Sequence, residues 1–282
     1  MNINYDVIIV ADVIRLEEKR LLEEAQNAGL RVLLLNLSSK GFRIGEERLA
    51  PYALIRSISM YRSLYSASFL EASGYRAINS SLSILLAGDK ALSLPLFFKS
   101  GIPIPPTYLA LSPETAIGYM TSRRKPLIDK PPIGSWGRLV SIIDSDITAK
   151  IVVEHREEIP SPQMKAHLIQ DYVQINGEDI RCFVVRGDVV ACMKRKAPPG
   201  EWRTNVAIGA QTEPFTPTDT VTEISVKAVE TIKADYGSVD IGVDKITGEH
   251  YLFEVNGVPE FKGLEKTTKA NIAKAIIDVV KR

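Results

Sequence analysis

The apolar run at residues 5–10 predicts a buried parallel strand. Residues 16–27 carry charge on one side, with Leu21, Leu22, Ala25 and Ala28 apolar, and Gly29 supplies a stop; this pattern predicts an amphipathic helix. Strands are expected at 31–37 and 52–58. A helix face begins with Leu64, Ala67 and Leu70 and closes at Gly74, and a short strand at 76–79 precedes the helix caps Ser80 and Ser81. Strand, helix and strand joined by short links argue for a parallel sheet with helices packed on it.

The pattern changes further along. A helix at 89–100 ends at Gly101, and Pro103, Pro105 and Pro106 hold the next segment extended. Then come a strand at 107–111, a helix at 113–122, a strand at 127–130, a small-residue loop at 131–138, a strand through Ile143 and a helix at 146–155. A strand at 167–173 leads to a hairpin with arms at 179–186 and 188–193, turning at Arg186-Gly187-Asp188. Helices are expected at 218–236 and 264–282, the last with Ile272, Ala275, Ile276 and Val279 as its buried stripe. Between those helices, runs at 239–243 and 250–255 flank a turn signal at 245–249 and predict an antiparallel hairpin. Asp244 ends its first strand, and Glu254 and Asn256 share one face of the second. Two carboxylates and an amide oxygen suit Mg2+, which keeps waters and substrate phosphates as its other ligands. A salt-bridged surface hairpin has the same spacing.

Composition narrows the class. The 282 residues allow one large domain or two to three small ones, 45% are hydrophobic and 24% charged, as in an ordinary globular protein. A net charge of +1 argues against general nucleic-acid binding. Cys182 and Cys192 read as small apolar fillers in a reducing compartment. The N-terminus lacks the pattern of a signal peptide, and no stretch reaches the about 18 apolar residues of a membrane span, so a cytoplasmic protein with no membrane partner is expected. No Gly-x-Gly-x-x-Gly follows the first strand, so the N-terminal unit is a poor dinucleotide site. Arg56, Ser57, Tyr61 and Arg62 fit either a ligand edge or a solvated helix start. His155 and His167 read as structural or surface residues. The loop at 134–138 can offer backbone N–H groups to phosphate, with Lys130 beside it as a point charge.

Taken in order, Asp89-Lys90, Lys130 with Gly134 to Arg138, Gln170-Asp171-Tyr172-Val173, Arg195, Asn205, Asp244 and Glu254-x-Asn256 resemble the ATP-grasp superfamily over nearly the whole chain. Within it the chain is similar to the RimK-like carboxylate–amine ligases. Residues 134–142 and 254–263 are most similar to the LysX and ArgX ligases, which attach an amino acid to the C-terminal glutamate of the acidic carrier LysW. The resemblance implies an α/β (α+β) ATP-grasp fold: an N-terminal Rossmann-like pre-ATP-grasp domain (1–88), a central lobe with a phosphate lid (89–165) and a C-terminal lobe with the metal site (166–282).

It also implies site residues. Lys90 and Lys130 contact ATP phosphates, and Gly134, Ser135, Trp136, Gly137 and Arg138 form the lid. Gln170, Asp171, Tyr172 and Val173 line the adenine pocket, and Asp179 reaches the ribose side. Arg203 and Asn205 lie near the γ-phosphate, with Arg203 catalytic. Asp244, Glu254 and Asn256 hold two Mg2+ ions. Arg195 serves catalysis and the amino-acid carboxylates, with Val206, Ala207, Asn256, Gly257 and Val258 also on the substrate side. The pair Gly257-Val258 lacks the amide associated with the lysine branch, which favours glutamate over α-aminoadipate; one methylene separates them by only ~1–3 kcal/mol, so dual use stays open. An acidic carrier would approach basic runs at Arg123-Arg124-Lys125 or Lys194-Arg195-Lys196. A homo-oligomer is expected, with no nucleic-acid partner. A ligase adding glutamates to a ribosomal-protein tail and a non-catalytic ATP-binding regulator are the rival expectations.

Overall fold

The computed structural model describes residues 4–124, 126–134 and 136–281; Lys125 and Ser135 lie outside the described residues. In chain order the elements are β1 (Val7–Ala11), α1 (Leu16–Asn27), β2 (Val32–Asn36), β3 (Tyr52–Ile55), α2 (Met60–Ala72), β4 (Arg76–Ile78), α3 (Ser81–Gly88) and α4 (Lys90–Lys99). Next come β5 (Thr107–Ala110), α5 (Pro113–Ser122), β6 (Leu127–Lys130), β7 (Ser141–Ile143), α6 (Asp146–Glu157) and β8 (His167–Asp171). The chain ends with β9 (Glu178–Val185), β10 (Asp188–Lys196), β11 (Gln211–Pro214), α7 (Asp219–Thr231), β12 (Tyr236–Val243), β13 (His250–Asn256), α8 (Lys262–Thr268) and α9 (Ile272–Asp278).

Three sheets result. The first is parallel, in the order β2-β1-β3-β4, and all of β1 is buried within it. The second is antiparallel, β5-β8-β6-β7. The third runs β11-β10-β9-β12-β13, also antiparallel.

Alternation along the third sheet gives its two faces different work. Cys182, Val184, Cys192, Val239 and Ile241 pack under α7 and against Phe97 of α4. On the other face Phe183, Val185, Met193 and Tyr236 join α1, α9 and Val7 and Ile9 of the first sheet in one core. The N-terminal and C-terminal units therefore share buried surface. Beyond that core, Asp179, Arg181, Arg195 and Asp240 occupy the same face and turn toward the second sheet.

Three sequence expectations need correction. The helix expected at 264–282 is two helices, because Lys269 takes a left-handed conformation (φ 63°) and the Asn271 side chain caps α9 by accepting from the Lys274 N–H. The helix expected to reach Tyr236 stops at Thr231, since Tyr236 opens β12, and β11 was not foreseen. The cysteines are not separate fillers: Cys182 and Cys192 face each other across β9 and β10 and form a disulfide, with Cα atoms 4.1 Å apart. The cause is local. Arg186 and Gly187 both have positive φ, as a two-residue turn matching the strand twist requires. That turn alone would set Cys182 opposite Ala191. A bulge between Val189 and Ala191 moves the register by one residue and brings Cys192 into place.

Candidate active site

Between the second and third sheets lies a cleft with about 990 Å³ of open space. Ile128, Val140, Val173, Ile175 and Phe253 make its apolar walls, and charged side chains line it beside them. Gly242 makes room for Phe253: a Cβ there would fall 2.1 Å from the Phe253 ring and 2.9 Å from Ile175.

Asp89 caps α4 by accepting from the Ala91 N–H, which puts Lys90 at the helix start facing the cleft. The Lys90 ammonium lies 3.0 Å from a Glu254 carboxylate oxygen and donates to the Gly134 carbonyl at 3.2 Å. Lys130, the last residue of β6, is buried beside it. Burial, then the nearby Lys90 charge, push its ammonium down to about 7, against the pull of Glu254. Burial would raise the Glu254 carboxyl, but Lys90 and Arg181 together hold it below the usual carboxylate range.

Four charges form a chain across β10, β9 and β12. Arg195 donates through Nε and Nη2 to both Asp179 oxygens at 2.8 and 2.5 Å, and Nη2 lies 3.1 Å from Asp240. Arg181 grips Asp240 with two bonds of 2.7 and 2.6 Å. Burial would raise the Asp240 carboxyl, but Arg181 and Arg195 hold it well below its ordinary value. Thr204 donates to Asp179 at 2.5 Å.

Above this floor, Gly137 of the loop at 134–138 approaches Asn205 closely; a Cβ at Gly137, which has φ 68°, would come within 2.6 Å of Asn205 Oδ1. Only glycine suits both that backbone and that distance. Arg203 donates through Nη1 to the Gly137 carbonyl at 3.1 Å, and Arg138 stacks over Trp136 at 4.9 Å.

Most sequence-predicted residues meet here. Lys90, Lys130, Gly134, Trp136, Gly137, Arg138, Gln170, Asp171, Tyr172, Val173, Asp179, Arg195, Arg203, Asn205 and Glu254 line the cleft, while Ser135 falls outside the described residues. Gln170 is buried and donates to Thr107, and Asp179 has both oxygens taken by Arg195, so it presents no open edge to a ribose.

Asp244 is displaced from the cluster. It lies in the exposed turn, accepting from the backbone N–H groups of Ile246, Thr247 and Gln174. Asp240 occupies the expected place: it pairs directly with Glu254 across β12 and β13, and both line the cleft. The signal was in the sequence, since an aspartate four positions earlier in the hairpin stands opposite Glu254. Spacing alone favours Asp244 at the turn, and the strand pairing replaces it with Asp240. Among the described residues no three His, Cys, Asp or Glu side chains cluster at metal-binding geometry. Two carboxylates, with phosphate oxygens supplying the rest, are nonetheless a usual Mg2+ donor set, and the Asn256 amide sits 3.4 Å from Glu254.

Other expected substrate residues lie apart from the cleft lining. Gly257 packs against Ala87 and its carbonyl accepts from Asn79, while Val258 packs on the core of the first sheet. Val206 and Ala207 form a short 3₁₀ turn after Asn205, with Val206 exposed. Trp202, Thr204 and Asp240 were not foreseen.

A RimK-like ATP-grasp domain matches residues 87–280 and a LysX pre-ATP-grasp domain residues 7–85. The chain belongs to the RimK-like ATP-grasp family. Within it, the chain is 39% identical to the glutamate–LysW ligase ArgX of Sulfurisphaera tokodaii, with 98% of each covered. It is 29% identical to the α-aminoadipate–LysW ligase LysX of Saccharolobus solfataricus, over 94% of this chain and 96% of that one. The fold is that of a RimK domain ATP-grasp protein from Sphaerobacter thermophilus, with a TM-score of 0.77, 19% identity, and 98% of this chain and 100% of that one covered. Both the expected superfamily and the lean toward the ArgX branch agree with these likenesses. Among the described residues no single helix is long and apolar enough to cross a membrane.

Proposed function

We propose that this chain is an ATP-dependent ligase that joins the α-amine of glutamate to the C-terminal glutamate side-chain carboxylate of a LysW-type carrier protein. One observation supports it above the rest: Lys90, Lys130 and Arg203 face Asp240 and Glu254 across one cleft, in a chain alike over its full length to a glutamate–LysW ligase. In this reading residues 1–88 form a pre-ATP-grasp domain, 89–165 the lobe with the lid, and 166–282 the lobe with the metal donors.

A carboxylate is a poor electrophile because its oxide does not leave at neutral pH. Its oxygen first attacks the γ-phosphorus of ATP, the bond to the β-phosphate oxygen breaks, and ADP leaves. The amine nitrogen then attacks the acyl carbon, the carbon–oxygen bond to phosphate breaks, and the nitrogen gives up its proton as the amide forms. Apolar walls from Ile128, Val173 and Phe253 suit adenine, with Gln170 to Val173 along its edge. Lys90, Lys130 and Arg203 neutralise phosphate charge, and the loop at 134–138 closes over it to exclude water. Asp240, Glu254 and Asn256 would hold Mg2+, which supplies charge neutralisation at the transferring phosphoryl group. Arg195 orients Asp179 and Asp240. This work is positioning and electrostatics, with no covalent enzyme group required.

α-Aminoadipate is the second substrate reading, supported by the relatives that use it. An acidic carrier suits basic side chains such as those of the run Lys194-Arg195-Lys196, of which Arg195 alone lines the cleft. Of these, Lys194 is partly engaged by Glu178 at 3.8 Å, whereas Lys196 is exposed. The deciding experiment is ADP release with a panel of amino acids, with and without an acidic carrier ending in glutamate. Release that needs the carrier and favours glutamate is expected. Release without any carrier, or repeated glutamate addition to one acceptor, would overturn the reading.

A further inference from the structure

Arg203 reaches the cleft from the loop between β10 and β11, where no regular element fixes its side chain. Glu201 does. Its Oε1 accepts from the Trp202 N–H at 2.9 Å, the Arg203 N–H at 3.0 Å and Arg203 Nε at 3.1 Å, while its Oε2 accepts from Arg203 Nη2 at 2.7 Å. One carboxylate thus holds both the backbone and one edge of the guanidinium. The opposite edge remains aimed at the lid, where Nη1 meets the Gly137 carbonyl.

We propose that Glu201 is the positioning residue for Arg203, fixing its guanidinium over the phosphoryl-transfer end of the cleft before substrate arrives. The proposal rests on the ligase reading above and assigns a residue outside the cleft lining. The fork of an arginine matches a carboxylate along one edge and leaves the other for phosphate. A long side chain held this way is preorganised, and no ordering cost falls on the chemical step. The Arg203 hydrogen bonds pull the Glu201 carboxyl down to about 2, so it stays ionised throughout the working range of pH. The pair is partly exposed, with 32% and 22% side-chain exposure, so it adds little to folding stability. The effect of the pair is therefore expected in turnover.

A turn-stabilising role would use the same two backbone bonds, and a double-mutant cycle separates the two roles. Steady-state ADP release with glutamate and carrier is measured for wild type, E201A, E201Q, R203A and E201A/R203A, with thermal unfolding of each. A misplacement of about 1 Å in a catalytic group costs roughly 10²-fold. E201A is therefore expected to lose about tenfold to 100-fold in kcat, with KM for ATP changed by less than about threefold. E201Q, which keeps an acceptor for the backbone but not the charge, should fall between. The double variant should be no slower than R203A, because Glu201 acts only through Arg203. If E201A does not fold, E201Q carries the same comparison. An unchanged or raised kcat in an active background would overturn the proposal alone. So would a double variant that multiplies the single losses. Wild-type protein releasing no ADP would overturn the ligase reading along with it.

Discussion

Among the described residues Arg56 and Arg195 are the two largest side chains sealed from solvent, yet their surroundings differ in kind. Arg56 leaves β3 and crosses to the C-terminal unit. It meets Glu18 at 3.3 Å, the Pro259 carbonyl at 2.9 Å, the Tyr236 hydroxyl at 3.4 Å and the Phe261 ring at 5.6 Å. Neutral acceptors and an aromatic face do most of the solvating. Arg195 is balanced by two carboxylates, Asp179 and Asp240, and borders a cleft. The first arrangement joins two units and has nothing left to exchange. The second can trade partners when a phosphate or a divalent ion arrives. Burial of a charge does not identify a functional group; the company it keeps does.

Substitution should separate the two. Removing one partner of a buried ion pair costs ~3–5 kcal/mol, so R56M and R195M are both expected to lose stability on that scale by denaturant unfolding. R195M should also lose at least about 10²-fold in turnover at a temperature where it is folded, whereas R56M should stay within about threefold per folded molecule. Equal losses in turnover would dissolve the distinction.

The next largest effect tests the metal side. D240N should reduce turnover by about 10²-fold or more, and D244N by less than about twofold, read as ADP release over a Mg2+ titration. The opposite ranking would return the role to the turn.

A smaller effect concerns protons. Lys130 is held at about 7 when the cleft contains no phosphate, so it is mostly neutral at pH 8. A phosphate beside it favours the charged form. ATP binding should then take up close to one proton at pH 8 and far less at pH 6, measured by calorimetry in buffers of different ionisation enthalpy. The same group sets a sign for stability. Its folded value lies below its unfolded one, so the unfolded chain binds more protons between about 7 and 10.5. The cost of burying Lys130 therefore eases as pH rises through that window, and K130M should raise the midpoint of unfolding more at pH 6 than at pH 10.

Much of this was legible in the residues. The strands of the first unit and their parallel sheet followed from apolar runs and short links, the loop at 134–138 from its glycines beside Lys130, and Glu254 from its place in a hairpin. What escaped was set by register. A period-2 pattern shows which side chains share a face but not which residue stands opposite. Choosing between Asp240 and Asp244 required the pairing of β12 with β13. Similarly, seeing Arg195 clasped by Asp179, and not open to a substrate carboxylate, required the pairing of β9 with β10. Glu201 was invisible for another reason, since its role depends on a loop conformation that no periodicity encodes.

The bond between Cys182 and Cys192 closes a short loop around a turn, so it removes less freedom from the unfolded chain than a link between distant segments would. What it withholds is slippage. A shift of one position between β9 and β10 would leave Asp179 facing Lys194 in place of Arg195 and turn one strand's charges away from the nucleotide side. The sulfur link admits a single alignment of the two strands, and in doing so acts as a proofreading stitch for the electrostatics three residues away.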